Sequence, residues 1–302
     1  GADGDSDGVV DMDGIDAPAT AKNCLAVGAT ENDRPPAVLG GDGYDDLWGD
    51  AWPFDYPAEP IHSDHLSDNP GGMAAFSSRG PVNDGRYKPD VAAPGTNIVS
   101  TFSQALGAGD GWGPYDSHYN YNGGTSMATP LAAGLAVLIR EYLVKEKKIS
   151  DPSAALIKAA IFNSAVNVAP GQYGTGQFQE IPYPVPNNVA GWGRPLLENA
   201  VYPTAPFKIE YHDVSPGLNT DGFDEYTFNV ATSAAPLKIN LAWTDYPGSP
   251  ASDGGLVNDL DLTVTDPSST VRYPDNPALP TIASQLSYDE ATLSGFENSY
   301  PV

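Results

Sequence analysis

The sequence predicts an α/β portion over residues 1–203 followed by an all-β portion over residues 204–302. Three observations predict it. Short apolar runs closed by Gly and Pro stand ahead of two helix-periodic stretches, so strands and helices share the first part. From about Thr204 the helical period gives way to short alternating or apolar runs separated by Pro, Gly and Asp, the texture of a β-sandwich or jelly roll. The chain has 302 residues, more than one compact core usually spans, which makes two domains the default expectation.

Taken in order, the first 16 residues are rich in Asp and Gly and suit a loop. Cys24 to Thr30 reads as a buried strand, with Cys24 a small core residue; as the single cysteine of the chain it has no internal disulfide partner. Residues 32–74 hold many Pro, Gly and Asp and little period, and read as a long surface excursion. Val91–Ala93, closed by Pro94–Gly95, and Ile98–Thr101 read as a strand–turn–strand pair. The strongest helix begins at Ser126, where Met127, Leu131, Leu135, Leu138, Ile139, Tyr142 and Leu143 recur at spacings of three and four and predict one broad buried face. Lys145, Lys147 and Lys148 place cations at its C-terminal end, as the helix dipole prefers, and Pro130 falls within about a turn of its start. A second helix follows Asp151–Pro152, with Pro152 in the first turn and Ala155, Ile157, Ala159, Ala160 and Phe162 as its apolar content. Strands are expected at 207–211, 225–231, 237–243 and 260–265.

Charge narrows the partners. With 39 acidic against 14 basic residues the net charge is −25, which argues against nucleic acid or an anionic membrane surface. Ten of the acidic residues are Glu and the rest Asp, a short carboxylate favoured in turns and calcium loops; part calcium ligation and part solubility in a saline or extracellular setting would account for the excess. A merely solvated acidic surface is the plainer alternative. No run of 18 apolar residues occurs, so no bilayer span is expected. The chain opens Gly-Ala-Asp with neither an initiator Met nor a leader pattern, which reads as the inside of a longer protein.

One segment carries chemistry. A serine hydroxyl is a poor nucleophile at neutral pH, and needs a base, donors for the developing oxyanion and a fixed exposed position. Asn122–Pro130 offers glycines that let a substrate approach the backbone, and it sets Ser126 at a helix start, where amide groups lack partners. An arbitrary serine there would be an N-cap. The wider context argues otherwise. Gly124-Thr125-Ser126-Met127-Ala128-Thr129-Pro130 resembles the nucleophile motif of the subtilisin-like serine proteases. Ala17-Pro18 before Ala26-Val27-Gly28-Ala29, Phe76-Ser77-Ser78-Arg79-Gly80-Pro81, Lys88-Pro89-Asp90-Val91-Ala92-Ala93-Pro94-Gly95 and Gly191-Trp192-Gly193 extend the resemblance in one order over about residues 1–200. Pro236–Ile239 and Leu256–Leu262 resemble the barrel appended to oxidatively stable alkaline proteases of that family.

The resemblance implies the C-terminal part of a parallel, doubly wound α/β domain, in which Ser126 attacks a peptide carbonyl while a histidine acts as base and an aspartate orients it. Gly124 and Thr125 would line the substrate site beside it. In the family the Asp, the His and an oxyanion Asn precede the Ser, and none of the three is identifiable here. His62, His65, His118 and His212 all stand in other contexts, His118 in a loop expected at the surface. The missing N-terminal portion of the same protein is therefore an expected partner, and the isolated chain is expected to be inactive. The rival reading is a non-catalytic pseudo-protease or processed fragment serving as a binding or structural module. Leu131 departs from the His that many relatives carry after the Pro.

Two acidic features complete the reading. Asp3, Asp5, Asp7 and Asp11, with Gly8 at the turn, space carboxylates as a calcium loop does; Gly14 occupies the place of the bidentate acid, leaving Asp13 or Asp16 to complete the shell. The alternative is a solvated acidic loop. Asp259 and Asp261 match a segment that supplies calcium ligands in relatives, and their i, i+2 spacing on a strand would put both on one face, the alternative being an exposed strand edge. Asp16, by the resemblance, lies at the floor of the pocket for the residue preceding the scissile bond, where a carboxylate would favour Lys or Arg. Its other reading is a ligand or loop residue of the acidic segment. Secretion completes the expectation.

Overall fold

A computed structural model describes residues 1–35, 46–183, 185–230, 237–248, 256–267, 269, 271–272 and 288–292. The middle of the excursion, Ala231, Pro236 and the chain's last residues lie outside the described residues. The described chain forms two compact units, Gly1–Leu135 with Ala165–Pro195, and Ala136–Ser164 with Leu196–Val302.

In the first unit, β1 (Val27–Thr30) pairs in parallel with β2 (Val91–Pro94), Val27 opposite Val91 and Thr30 opposite Pro94. Both strands are short runs of small and β-branched residues that are almost wholly buried, as parallel strands are. The expected pairing of 91–93 with 98–101 does not form. β3 (Ile98–Thr101) instead pairs antiparallel with β4 (Tyr119–Asn122). Pro94 lacks the amide a tight hairpin ladder would use, while the parallel neighbour already takes up the backbone of β2. Two-residue strands β5 (Ala165–Val166) and β6 (Arg194–Pro195) also pair antiparallel.

A parallel pair requires a long crossover, and residues 31–90 provide it. The described residues of 32–74 are no surface excursion. The short helix α1 (Trp48–Ala51) lies within them, and Trp48, Tyr56, Ile61, Leu66, Met73 and Ala74 are each 3% exposed or less. Trp48 centres an aromatic cluster, with Trp52, Tyr56 and Phe76 rings 5.4–5.6 Å away. Tyr56, Ile61 and Leu66 stand singly among polar residues and Pro, so no period betrays them, yet each large ring buries on the order of 150–250 Å².

The long helix α2 (Thr125–Lys145) starts one residue before the expected Ser126. Its buried face is narrower than predicted: Ala128, Ala132, Ile139 and Leu143 are buried, whereas Leu131, Val137 and Leu138 are 44%, 65% and 47% exposed. Pro130 lies in the second turn, where it withholds the amide that the Ser126 carbonyl would accept. By length and apolar content α2 is the one described helix that would suit a bilayer, at a mean hydropathy of 1.4.

In the second unit, α3 (Ala154–Ser164) begins after Ser153, whose hydroxyl accepts the Leu156 amide at 3.0 Å, so Pro152 precedes the cap and is not in the first turn. Leu156, Ala160, Ile161 and Phe162 are buried, and α3 packs on α4 (Leu197–Val201) and on β7 (Lys238–Ala242). Asn163 donates to Asn240 Oδ1 at 2.6 Å and to the Lys238 carbonyl at 3.2 Å. β7 pairs antiparallel with β10 (Tyr288–Thr292), and β8 (Val264–Thr265) with β9 (Val271–Arg272). Described residues of the expected strands at 207–211 and 225–231 carry no strand.

Candidate active site

The Ser126 turn stands at the C-terminal ends of the parallel strands. The Gly95 amide donates to the Thr30 carbonyl at 2.9 Å, and the Gly124 amide donates to the Gly95 carbonyl at 2.8 Å. These two bonds tie the turn to the ends of β1 and β2. Gly124 has φ +140°, a conformation open to glycine and strained for other residues, and this lets the chain enter α2. Its carbonyl then accepts the amides of Met127 at 2.9 Å and Ala128 at 3.3 Å. The amides of Thr125 and Ser126 take no hydrogen bond among the described residues. They stand at the positive end of a long helix dipole, where negative charge is stabilised.

Ser126 is exposed, and among the described residues no hydrogen bond reaches its hydroxyl. His118 is exposed in the β3–β4 loop, with Nδ1 2.9 Å from its neighbour's Ser117 hydroxyl. Beside the turn, Asp16, Gly28, Ser77, Pro89 and Thr125 help to line a cavity of ≈140 Å³. Gly28 keeps its wall open, since a Cβ there would lie 2.9 Å from Pro89 Cγ and 3.1 Å from Ser77 Oγ. Sequence reasoning placed Asp16 and Thr125 here and missed the Gly28 and Pro89 walls, although both lie in segments already singled out for their motifs.

Near this cavity the ion pair of Lys88 with Asp90 is 2.6 Å long and almost fully buried, and Asp90 also accepts the Ala26 amide at 2.6 Å. It thereby links the chain before β1 to that before β2.

Asp3, Asp5 and Asp7 converge, each offering a carboxylate oxygen within 4.8 Å of the others. Asp3 is buried, and its two oxygens accept the Asp7 and Gly8 amides at 3.0 Å each. Asp11 stands apart from the trio, accepting the Gly4 amide at 2.8 Å. The trio offers only hard oxygens, the donor type calcium prefers. Asp259 and Asp261 are both exposed, and partial burial together with the Asp261 charge pushes the Asp259 carboxyl up. Among the described residues no third metal-ligating group joins them. Cys24 is half-buried at a turn, its Sγ 3.0 Å from the Ala21 carbonyl, and not a core residue.

A carboxylate cluster that the sequence did not suggest lies under the crossover. Glu31 accepts from Trp48 Nε1 at 3.2 Å and Gln172 Nε2 at 3.0 Å, and Asp64 accepts from the Tyr173 hydroxyl at 2.7 Å. Glu180 accepts the Met73 amide at 3.0 Å and lies 3.8 Å from Arg79. Burial raises all three carboxyls, Asp64 to about 6 and Glu180 to about 7, the latter against the opposing Arg79 charge. No local spacing in the sequence signals a set drawn from positions so far apart.

The model of the subtilase family of peptidases, S8, matches residues 2–193, most of the chain. The chain belongs to the subtilase family. Among curated relatives, this subtilase is 28% identical over 259 residues to the serine protease/ABC transporter B family protein tagD of Dictyostelium discoideum, covering 69% of the chain. It is 38% identical over 186 residues to the minor extracellular protease Vpr of Bacillus subtilis, covering 61% of the chain. It spans only 14% and 20% of these relatives' lengths. Among solved structures, the CspB protease of Clostridium perfringens aligns over 63% of this chain and 28% of its own at 23% identity, with a TM-score of 0.36.

Proposed function

We propose that this subtilase is a serine endopeptidase in which Ser126 is the nucleophile. The observation that supports this most is the pair of amides at Thr125 and Ser126, unpartnered among the described residues, at the start of α2 and beside an exposed hydroxyl. A base removes the hydroxyl proton as Oγ attacks the peptide carbonyl. The Ser126 amide donates to the oxyanion so formed, the amine leaves with a proton from the same base, and water then releases the acyl group from Ser126. In this reading the imidazole, its orienting carboxylate and a second oxyanion donor come from polypeptide outside residues 1–302. The protein works outside the cell, in keeping with its strong negative charge and with one relative's name. The Asp3, Asp5 and Asp7 trio binds a structural calcium ion.

Labelling with a serine-directed fluorophosphonate tests the proposal. The full protein is expected to label at Ser126, Ser126→Ala to abolish both labelling and peptide hydrolysis, and the isolated chain to label negligibly. A full protein that neither labels nor cleaves would be the non-catalytic module instead.

A further inference from the structure

We infer, resting on the protease reading, that Trp112 is a positioning residue for Ser126: its indole packs on Gly123 and fixes the Gly123–Gly124 turn from which α2 and the nucleophile start. A Cβ on Gly123 would overlap Cη2, Cζ2 and Cζ3 of the Trp112 indole, so the ring occupies the place where any other residue's side chain would begin. Gly123 does not adopt a left-handed φ, unlike Gly124 at +140°. What demands glycine at 123 is therefore the ring and not the backbone. Two consecutive glycines have no side chains to hold them and more backbone freedom than any other pair of residues. The indole supplies the contact they lack, three residues before Ser126.

The ring is itself anchored. Its centroid lies 6.4 Å from that of Trp52, which follows α1, and 6.5 Å from that of Phe76, so it extends the aromatic cluster centred on Trp48 as far as the Ser126 turn. The Trp112 amide donates to the Tyr121 carbonyl at 2.8 Å, and the Tyr121 amide donates to the Gly113 carbonyl at 2.9 Å. These bonds fasten the segment that carries the ring to β4, the strand leading into Gly123. The turn is thus tied to the ends of β1 and β2 through the Gly124 amide and to the aromatic cluster through Trp112. Among the described residues the Ser126 hydroxyl takes no hydrogen bond, so the backbone beneath it sets its place. A nucleophile displaced by about 1 Å loses on the order of a hundredfold in rate.

The test compares Trp112→Phe, Gly123→Ala and the double variant in the full protein. Turnover is expressed per active site, counted by fluorophosphonate labelling, so that a loss of folded protein alone does not register. Phe keeps a ring beside Trp52 and Phe76 but lacks the indole atoms that reach Gly123. Trp112→Phe is expected to lower kcat by about tenfold while KM stays within about twofold, the pattern of an interaction felt in the transition state. Gly123→Ala should lose at least as much, and the double variant should recover about tenfold over Gly123→Ala, because the shorter ring makes room for the methyl. An unchanged kcat in Trp112→Phe, or a double variant no better than Gly123→Ala, overturns this inference alone. So does loss of labelling in Trp112→Phe together with loss of its cooperative melting transition, which would reduce the ring to a core residue. Absence of labelling and cleavage in the wild type overturns the protease reading and this inference together.

Discussion

At Gly95 a single methyl group decides whether the nucleophile can be held. A Cβ there would lie 2.6 Å from Ala29 Cβ and 3.0 Å from the Gly124 carbonyl oxygen, neither of them the end of a flexible side chain. Gly95→Ala is therefore expected to destabilise the chain by about 1–3 kcal/mol in urea denaturation, the usual cost of overpacking, and to slow fluorophosphonate labelling of the full protein. A change below about 0.5 kcal/mol would mean that the Ser126 turn moves freely over β1 and β2. The Asp3, Asp5 and Asp7 trio makes a second prediction. Three carboxylates held together repel one another unless a cation joins them. Calcium at 100 times its dissociation constant should stabilise the chain by about 2.7 kcal/mol, seen as a rise in Tm that EDTA reverses. Asp5→Asn with Asp7→Asn should erase that rise, while a Tm indifferent to calcium would identify a solvated acidic loop. At this scale the presence of Asp16 and Thr125 at one cavity was legible in the sequence, because each sits in a recognisable motif. The Glu31, Asp64 and Glu180 cluster was not, because only the folded crossover brings them together.

The elements show how far periodicity carries. The strands β1 and β2 and the helices α2 and α3 followed from apolar runs and spacing, whereas the parallel pairing of β1 with β2 did not, since those runs suggested that 91–93 would pair with 98–101. The burial of α2 did not, since spacings of three and four mark an apolar stripe without saying how much of it a neighbour covers. Residues 46–74 misled in the opposite direction: their core residues, Trp48, Tyr56, Ile61 and Leu66 among them, follow no regular spacing, so composition read as surface while packing made them interior. The α2 difference is measurable. Ile139 and Leu143 are fully buried, so Ile139→Ala or Leu143→Ala should cost about 2–5 kcal/mol. Leu131→Ala and Leu138→Ala, at 44% and 47% exposure, should each cost well under half as much in the same chain. Equal losses at all four positions in chemical denaturation would restore the broad buried face that spacing alone suggests.

Across the whole molecule, acidity sets the direction in which stability moves with pH. Glu180, whose carboxyl burial lifts to about 7 against the opposing charge of Arg79, and Asp64, lifted to about 6 chiefly by burial, both hold protons in the folded chain below those values that they release when it unfolds. Glu31 is raised in the same sense by burial and by Asp64. Where the folded state binds more protons than the unfolded one, stability falls as pH rises. For Glu180 that window runs from its ordinary value of 4.5 to about 7, and for Asp64 from 3.8 to about 6. Above the upper limits the carboxyls are ionised in both states, and the cost of holding buried charge is fully expressed. Self-repulsion at a net charge of −25 adds to the same trend, because protonation relieves it. Calcium-free chain is therefore expected to melt at a higher temperature near pH 5 than near pH 7.5, and the slope between them should flatten in Glu180→Gln, which has no proton to lose. Slope is the better readout, since the variant also alters the surroundings of Arg79 and so its absolute Tm. A Tm that climbs from pH 5 to 7.5, or a slope unchanged in Glu180→Gln, would show that the buried carboxylates are already paired well enough to ionise without cost.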